Sequence, residues 1–372
     1  MKLGLGLYRD RLNRDNYRFA KQAGCTHLVV HLVDYYNGIA GLPNTDKDRN
    51  MGVARADEEI WTYDGLRALK RSIEDEGLTI EAIENFSPAD WHDILLDGPR
   101  KREQMEKLKR IVRDVGKAGI PVIGYNFSIA GVWGHVNRPA ARGGAVTATF
   151  DLNEGPEETP IPNGQIWNMT YDAEAALTGF VPPIPSEELW RRVEWFLQEL
   201  VPVAEEAGVR LAAHPDDPPM PTIRGYGRLV NQPHLYQRLL DLYPSPSNAL
   251  EFCLGTLQEM TEGDIYETID RYGKQRAIAY VHFRNVKGKV PNYREVFVDE
   301  GDIDMLRALR LLKRNGFDGV LVPDHTPQMT CNAPWHAGMA YALGYMKALL
   351  AVVEGEDISE YGRETAKGAS GA

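Results

Sequence analysis

Cysteine is scarce in this 372-residue chain: Cys25, Cys253 and Cys331 are the only three, an odd number set far apart. That pattern excludes a disulfide scaffold and suits a reducing compartment, so a cytoplasmic location is expected. Positive charge is in deficit, with 42 Lys and Arg against 53 Asp and Glu and a net charge of −11. Coating a nucleic acid needs a basic face, and no Lys/Arg cluster supplies one; no nucleic-acid partner is expected. Long uncharged apolar runs are missing as well. No stretch approaches the roughly 18 apolar residues of a membrane span, and no membrane partner is expected. The apolar run in MKLGLGLYRDR stops at Arg9 and Asp10, too short for a signal-peptide core. No G-x-G-x-x-G follows an early strand-like run, which counts against a doubly wound dinucleotide fold. What is present is 43% hydrophobic and 26% charged residues, the balance of a soluble globular protein with a real core.

Eight short apolar runs alternate with eight amphipathic stretches. The runs are 2–8, 26–33, 78–85, 121–127, 209–216, 249–255, 278–285 and 319–325. Most are leucine-rich or β-branched without a clean polar alternation, as parallel strands covered on both faces require. Helix-stop signals precede several of them: Ala-Gly before the second and fourth, Glu-Gly before the third, Asn-Gly before the eighth. The spacing predicts helices near 14–23, 62–77, 98–118, 186–207, 233–243, 264–274, 302–314 and 336–353. The fifth starts at Ser186 behind Pro185 and carries an apolar stripe at Leu189, Val193, Phe196, Leu197 and Leu200. Eight right-handed βα units predict an α/β fold, a (β/α)8 TIM barrel. We expect one barrel domain over 1–355 and a tail, 356–372, whose small polar end is disordered.

Three connections, 34–61, 128–185 and 286–301, are too long for simple turns. All follow strands, so in a barrel they crowd the C-terminal face, where active sites form. The 128–185 insertion, with Trp133, His135, Arg138 and Trp167, is expected to act as a lid.

Four residues with metal-binding side chains fall at successive strand ends: His214, Cys253, His282 and Asp324. Each alone has an ordinary explanation, Cys253 as a small buried hydrophobe, His282 as a core histidine, Asp324 as a cap. Equivalent depths on strands five to eight converge near a barrel axis. Two imidazoles, a thiolate and a carboxylate there make a divalent-metal site for Fe2+, Co2+, Mn2+ or Zn2+ rather than Mg2+. His325, beside Asp324, is a candidate general acid or base. Arg284 and Asn285 could bind an anionic or hydroxylated substrate, or Arg284 could pair with a barrel carboxylate. Asp216 lies in the proline-stiffened exit from strand five, and Glu84 ends strand three.

The segments VPVAEEAGVRLAAHPDDPP (201–219), LEFCLGT (250–256), YVHFRNVK (280–287), GDIDM (301–305) and VPDH (322–325) resemble the mannonate dehydratases, members of the xylose-isomerase-like barrel superfamily. VIGYNF (122–127), with Asn126, is a fainter match, and the likeness runs from about residue 60 to 350. The resemblance implies a metal held by His214, Cys253, His282 and Asp324, Mn2+ or Fe2+ foremost with Co2+ and Zn2+ as alternatives. It further implies dehydration of D-mannonate, or a related sugar acid, to 2-dehydro-3-deoxy-D-gluconate. Removal of the C2 proton would be aided by the metal, and His325 would serve one of the two proton transfers. Asn126, Trp133, His135, Asp216, Glu84, Arg284 and Asn285 are the expected substrate-side residues, and a homo-oligomer is expected.

The departures concern the substrate side. The family's tyrosine-containing run after the Asp-His pair is replaced by Pro334–Gly344, where His336 or Tyr341 stands as the substitute. After strand four the family's W-T-R-T-like run reads Trp133-Gly134-His135-Val136 here, and Glu295 matches while a family histidine appears as Val298. Two alternatives stay open: a metal-dependent sugar isomerase or epimerase with Glu84 or His325 moving the proton, and a non-catalytic carbohydrate-binding barrel.

Overall fold

A computed structural model describes residues 1–35, 52–56 and 59–356. The expected tail from Gly362 lies outside them, as does much of the first long connection. Eight parallel strands close into a barrel: β1 (Lys2–Leu7), β2 (His27–Val30), β3 (Thr79–Glu84), β4 (Val122–Tyr125), β5 (Arg210–Ala213), β6 (Asn248–Cys253), β7 (Ile278–His282) and β8 (Val320–Val322). Each neighbours the next in sequence and β8 pairs with β1, the order of a (β/α)8 barrel. Every expected apolar run coincides with one barrel strand, which is shorter than the run and, in β6, starts one residue before it at Asn248.

The alternation along these strands divides the core in two. Val29, Ala82, Val122, Ala212, Ala249, Tyr280 and Val320 form the barrel interior. Residues of opposite parity, such as Leu28, Ile83, Ile123, Leu250, Phe252 and Val281, join the layer under the helices. The glycines read as helix stops do take left-handed backbone: Gly24, Gly77, Gly119 and Gly316 have φ of 96°, 73°, 73° and 73°.

The surrounding helices are α1 (Arg14–Gln22), α2 (Tyr63–Glu74), α3 (Pro88–Leu96), α4 (Lys101–Lys117), α5 (Ser186–Ala207), α6 (Leu235–Leu242), α7 (Leu254–Glu259), α8 (Ile265–Lys274), α9 (Met305–Arg314) and α10 (Pro334–Gly355). In α5 the predicted stripe Leu189, Val193, Phe196, Leu197 and Leu200 is fully buried. Its Ser186 does not cap the helix; the hydroxyl donates to the Arg228 carbonyl at 2.6 Å. Helices α3 and α7 were not expected. α10 is long and apolar enough to cross a membrane by length and composition, although Lys347 and Glu354 keep it from being an uncharged run. One face of it, including Met339, Leu343, Met346 and Val353, is buried in the barrel's helix layer.

The long connections also carry regular structure. The insertion after β4 forms a hairpin, His135–Ala141 with Ala145–Asp151, and the connection after β7 forms another, Asn285–Lys289 with Asn292–Val296. The two hairpins pair edge to edge into one four-stranded antiparallel sheet, in register Asn292 with Asp151 and Arg294 with Thr149. This cap sheet joins two loops on the C-terminal face of the barrel.

Candidate active site

A cavity of about 160 Å3 opens at the C-terminal ends of the strands, beneath the cap sheet. A wider cleft of about 990 Å3 lies on the flank, lined by helix and loop side chains such as His92, Arg100 and Arg192. Size favours the flank, but the strand-end cavity is the one that gathers metal donors, and donor chemistry is the better guide to a site.

Strand parity explains how the donors meet. On β6, Glu251 and Cys253 face inward while Leu250 and Phe252 face the helices; on β7, Tyr280 and His282 face inward while Val281 and Phe283 do not. The register sets Cys253 beside His282 and Glu251 beside Tyr280. One donor atom from each of His214, Cys253 and His282 lies within 4.8 Å of the others. Asp324 stands at the edge of this group, with Oδ2 3.3 Å from His282 Nδ1. It has a left-handed φ of 52°, as does Asn85 at 67° on the same cavity; Asp and Asn tolerate that conformation, which often marks functional sites.

Charges are concentrated here. Burial alone would raise the Cys253 thiol, but Arg284, His214 and His282 outweigh it and pull it down to about 5. His214 and His282 are the converse. Burial opposes their charge, yet Glu251 and Cys253 lift His214 to about 9, and Asp324, Glu84 and Glu251 lift His282 well above its ordinary value. Thiolate and imidazoles held this close suit a divalent ion, which would take the place of protons on the imidazole nitrogens. The buried Nδ1 of His282 lacks a hydrogen-bond partner among the described residues, a second sign that the donor set fits a cation.

His325 borders the group with its side chain 45% exposed, hence reachable. Its Nδ1 lies 3.1 Å from Glu295 and its Nε2 3.5 Å from Asp324. Burial disfavours its charge, but these carboxylates prevail and push it up to about 10. On the β1–β3 side, His31 lies 3.5 Å from Glu84 and 3.3 Å from the Tyr35 hydroxyl, and burial lowers it. Glu84 and Asn126 line the cavity; so does His135, whose Nε2 sits 2.6 Å from the Tyr293 hydroxyl.

Other sequence expectations lie elsewhere. Arg284 is not in the cavity but under it, 2% exposed. It pairs with Asp217, with Glu259 at 2.9 Å, Glu295 at 3.3 Å and Asp324 at 3.4 Å. Asn285 braces the third connection, donating to Val298 O at 3.1 Å and Ile303 O at 3.0 Å. Asp216 accepts from the Leu229 and Val230 amides and meets Arg228 at 3.0 Å. Its neighbour Asp217 is the one on the cavity, because Pro215 and Pro218 end the regular strand and its alternation. Trp133 is buried in the core with the Arg224 guanidinium 5.6 Å from its ring, and Val132 takes its place on the cavity wall.

Neither expected substitute for the tyrosine reaches the cavity. His336 bonds Asn16 of α1 at 2.9 Å, and Tyr341 packs 5.7 Å from Phe297 with its hydroxyl 3.4 Å from Arg142. Both belong to α10, whose start is turned to α1 and to the cap. Trp167 of the expected lid does line the cavity, while sequence reasoning missed Glu251, Asp217, Tyr8, His31 and Tyr35. Period-two counting from Cys253 and His282 would have found Glu251, and the ends of β1 and β2 would have suggested Tyr8 and His31.

Residues 29–357 match the sequence profile of the family described as D-mannonate dehydratase (UxuA). A mannonate dehydratase of Streptococcus equi subsp. zooepidemicus is 32% identical over 279 residues, 72% of this chain and 75% of that one. One of Oceanobacillus iheyensis is 32% identical over 280 residues, 72% and 78%. Among solved structures, the mannonate dehydratase of Streptococcus suis serotype 2 superposes with a TM-score of 0.77 at 26% identity, covering 96% of both chains. An L-ribulose 3-epimerase, at 15% identity and a TM-score of 0.55, covers 100% of this chain and 98% of its own and shares the fold.

Proposed function

Because the chain belongs to the D-mannonate dehydratase family, we propose that it is a hydro-lyase converting D-mannonate, or a closely related aldonate, to the 2-dehydro-3-deoxy acid. The observation that carries this reading is the convergence of His214, Cys253 and His282 within 4.8 Å beside a reachable, cationic His325.

The family implies a divalent metal, and His214, Cys253, His282 and Asp324 are the residues that would hold it. The mixed imidazole, thiolate and carboxylate set suits Fe2+, Co2+, Mn2+ or Zn2+ alike, and it is the family likeness that puts Mn2+ or Fe2+ first. When bound, the ion would supply Lewis acidity at the substrate's carboxylate and C2 hydroxyl, making the C2 proton removable.

The chain's own groups divide the proton work. His325, protonated at neutral pH, gives its proton to the C3 hydroxyl as the C3–O bond breaks, and water leaves. The C2 proton needs a neutral acceptor. Burial lowers both His31 and His135. His135 is tied to Tyr293 at 2.6 Å, whereas the contacts of His31 are 3.3 and 3.5 Å, so His31 is the freer acceptor. The electron pair of the C2–H bond becomes the C2–C3 double bond, and the enol relaxes to the keto acid. His31 and His325 then re-equilibrate with solvent.

Metal-reconstituted protein incubated with a panel of aldonates tests the reading. Keto acid trapped by semicarbazide from D-mannonate is the expected result. No keto acid from any aldonate, with interconversion of ketoses instead, would replace dehydration by epimerisation. The scarcity of cysteine, with Cys25, Cys253 and Cys331 all free, supports a cytoplasmic setting.

A further inference from the structure

Each imidazole of the metal group has one nitrogen committed elsewhere. His214 Nδ1 lies 2.6 Å from the Pro215 carbonyl, which can only accept, so Nδ1 carries the proton and Nε2 is left for the ion. His282 has the opposite arrangement. Its Nε2 lies 3.2 Å from Glu84 Oε2 in hydrogen-bonding geometry and 3.0 Å from Glu251 Oε1. Its Nδ1 is buried without a hydrogen-bond partner, 3.3 Å from Asp324 Oδ2, which belongs to the proposed ligand set.

The nitrogen in hydrogen-bonding geometry with Glu84 is the one that keeps a proton, because a carboxylate oxygen accepts. Resting on the metal reading above, we infer that His282 meets the divalent ion through Nδ1, and that Glu84 and Glu251 are positioning residues holding its ring in the Nε2–H tautomer. Such outer carboxylates fix the orientation of a ligating histidine and raise its basicity. Glu251 is built in deliberately: it is fully buried, and β4 makes room for it with Gly124. A Cβ there would stand 2.7 Å from Glu251 Oε2 and 2.1 Å from the Tyr280 hydroxyl.

The test uses the whole chain loaded with Zn2+, which is diamagnetic, and labelled with 15N-histidine. The expected spectrum has one imidazole bound through Nε2 with Nδ1–H, His214, and one bound through Nδ1 with Nε2–H, assigned to His282 by its loss in His282→Gln. Glu251→Ala should weaken Zn2+ binding about 10- to 100-fold and speed solvent exchange of the His282 N–H. Glu251→Gln, whose amide oxygen still accepts, should recover most of the affinity. His282 bound through Nε2 would overturn the inference, as would two Zn2+ per chain with both its nitrogens metallated, or unchanged affinity in folded Glu251→Ala. Should the variants fail to fold, the wild-type spectrum decides alone. If the wild type binds no divalent ion, the metal reading itself falls, a result distinct from the wrong tautomer.

Discussion

The two walls of the cavity are held in different ways. His214, Cys253, His282 and Asp324 come from the ends of four adjacent strands, β5 to β8, each locked in a parallel ladder. Val132, His135, Ala148 and Trp167 come from one insertion, suspended from the cap sheet and from single contacts such as the Trp167 amide on Ile129 O at 2.8 Å. The strand wall carries the charge and must hold donor atoms to fractions of an ångström, which rigid elements do best. The insertion wall is mostly apolar or aromatic and shapes what can enter, a task that loops perform and vary. Substitutions on the first wall should therefore change chemistry and metal content, and substitutions on the second should change substrate recognition.

The largest effect expected is on the strand wall. Cys253→Ser and His282→Ala should each lose bound metal and about a thousandfold or more in kcat/KM, the loss of several kcal/mol of Lewis-acid stabilisation. Full metal content in either variant, by elemental analysis, would erase the division. Next comes the layer below. Arg284→Met leaves Asp217 and Glu259 buried without their cation and should cost about 3–5 kcal/mol of stability, seen as a lower midpoint in denaturant. A rise in KM with unchanged stability would instead return Arg284 to the substrate. His31→Ala should lower kcat about a hundredfold or more with metal content intact. Trp167→Ala, on the insertion wall, should raise KM about tenfold, the loss of one buried aromatic contact, while kcat and metal hold.

The smallest effect is a titration. In the metal-free protein the His325 imidazolium should persist to about pH 10 by NMR, and Glu295→Gln should bring it down. The raised value means that His325 favours the folded state fully below its ordinary value near 6.5. That contribution fades as pH climbs through about 10. A His325 titrating near its ordinary value would remove the acid from the proposed chemistry.

The same division governs what could be read from residues alone. The barrel strands and most helices are local: an apolar run, a stop glycine such as Gly77, an amphipathic stripe as in α5. His214, Cys253 and His282 are legible because residue type and strand end coincide. The cap sheet is not, since His135–Ala141 reads HVNRPAA and its sheet is completed by residues far along the chain. Arg284 misled for the same reason. Its carboxylate partners Asp217, Glu259, Glu295 and Asp324 come from separate connections, and nothing near it in sequence announces how thoroughly it is neutralised. α7 escaped because its six residues, LGTLQE, are too few to display a period.

The cap sheet has a consequence for biosynthesis. Asp151 and Asn292, bonded across it at 2.5 Å, are 141 residues apart. At about 5–20 residues per second the first hairpin leaves the ribosome on the order of ten seconds before the strand that completes its sheet. Through that interval its outer edge, Ala145–Asp151, is unpaired and open to other strands. A nascent chain paused between these two hairpins should thus be the form that is most prone to aggregate and most in need of a chaperone.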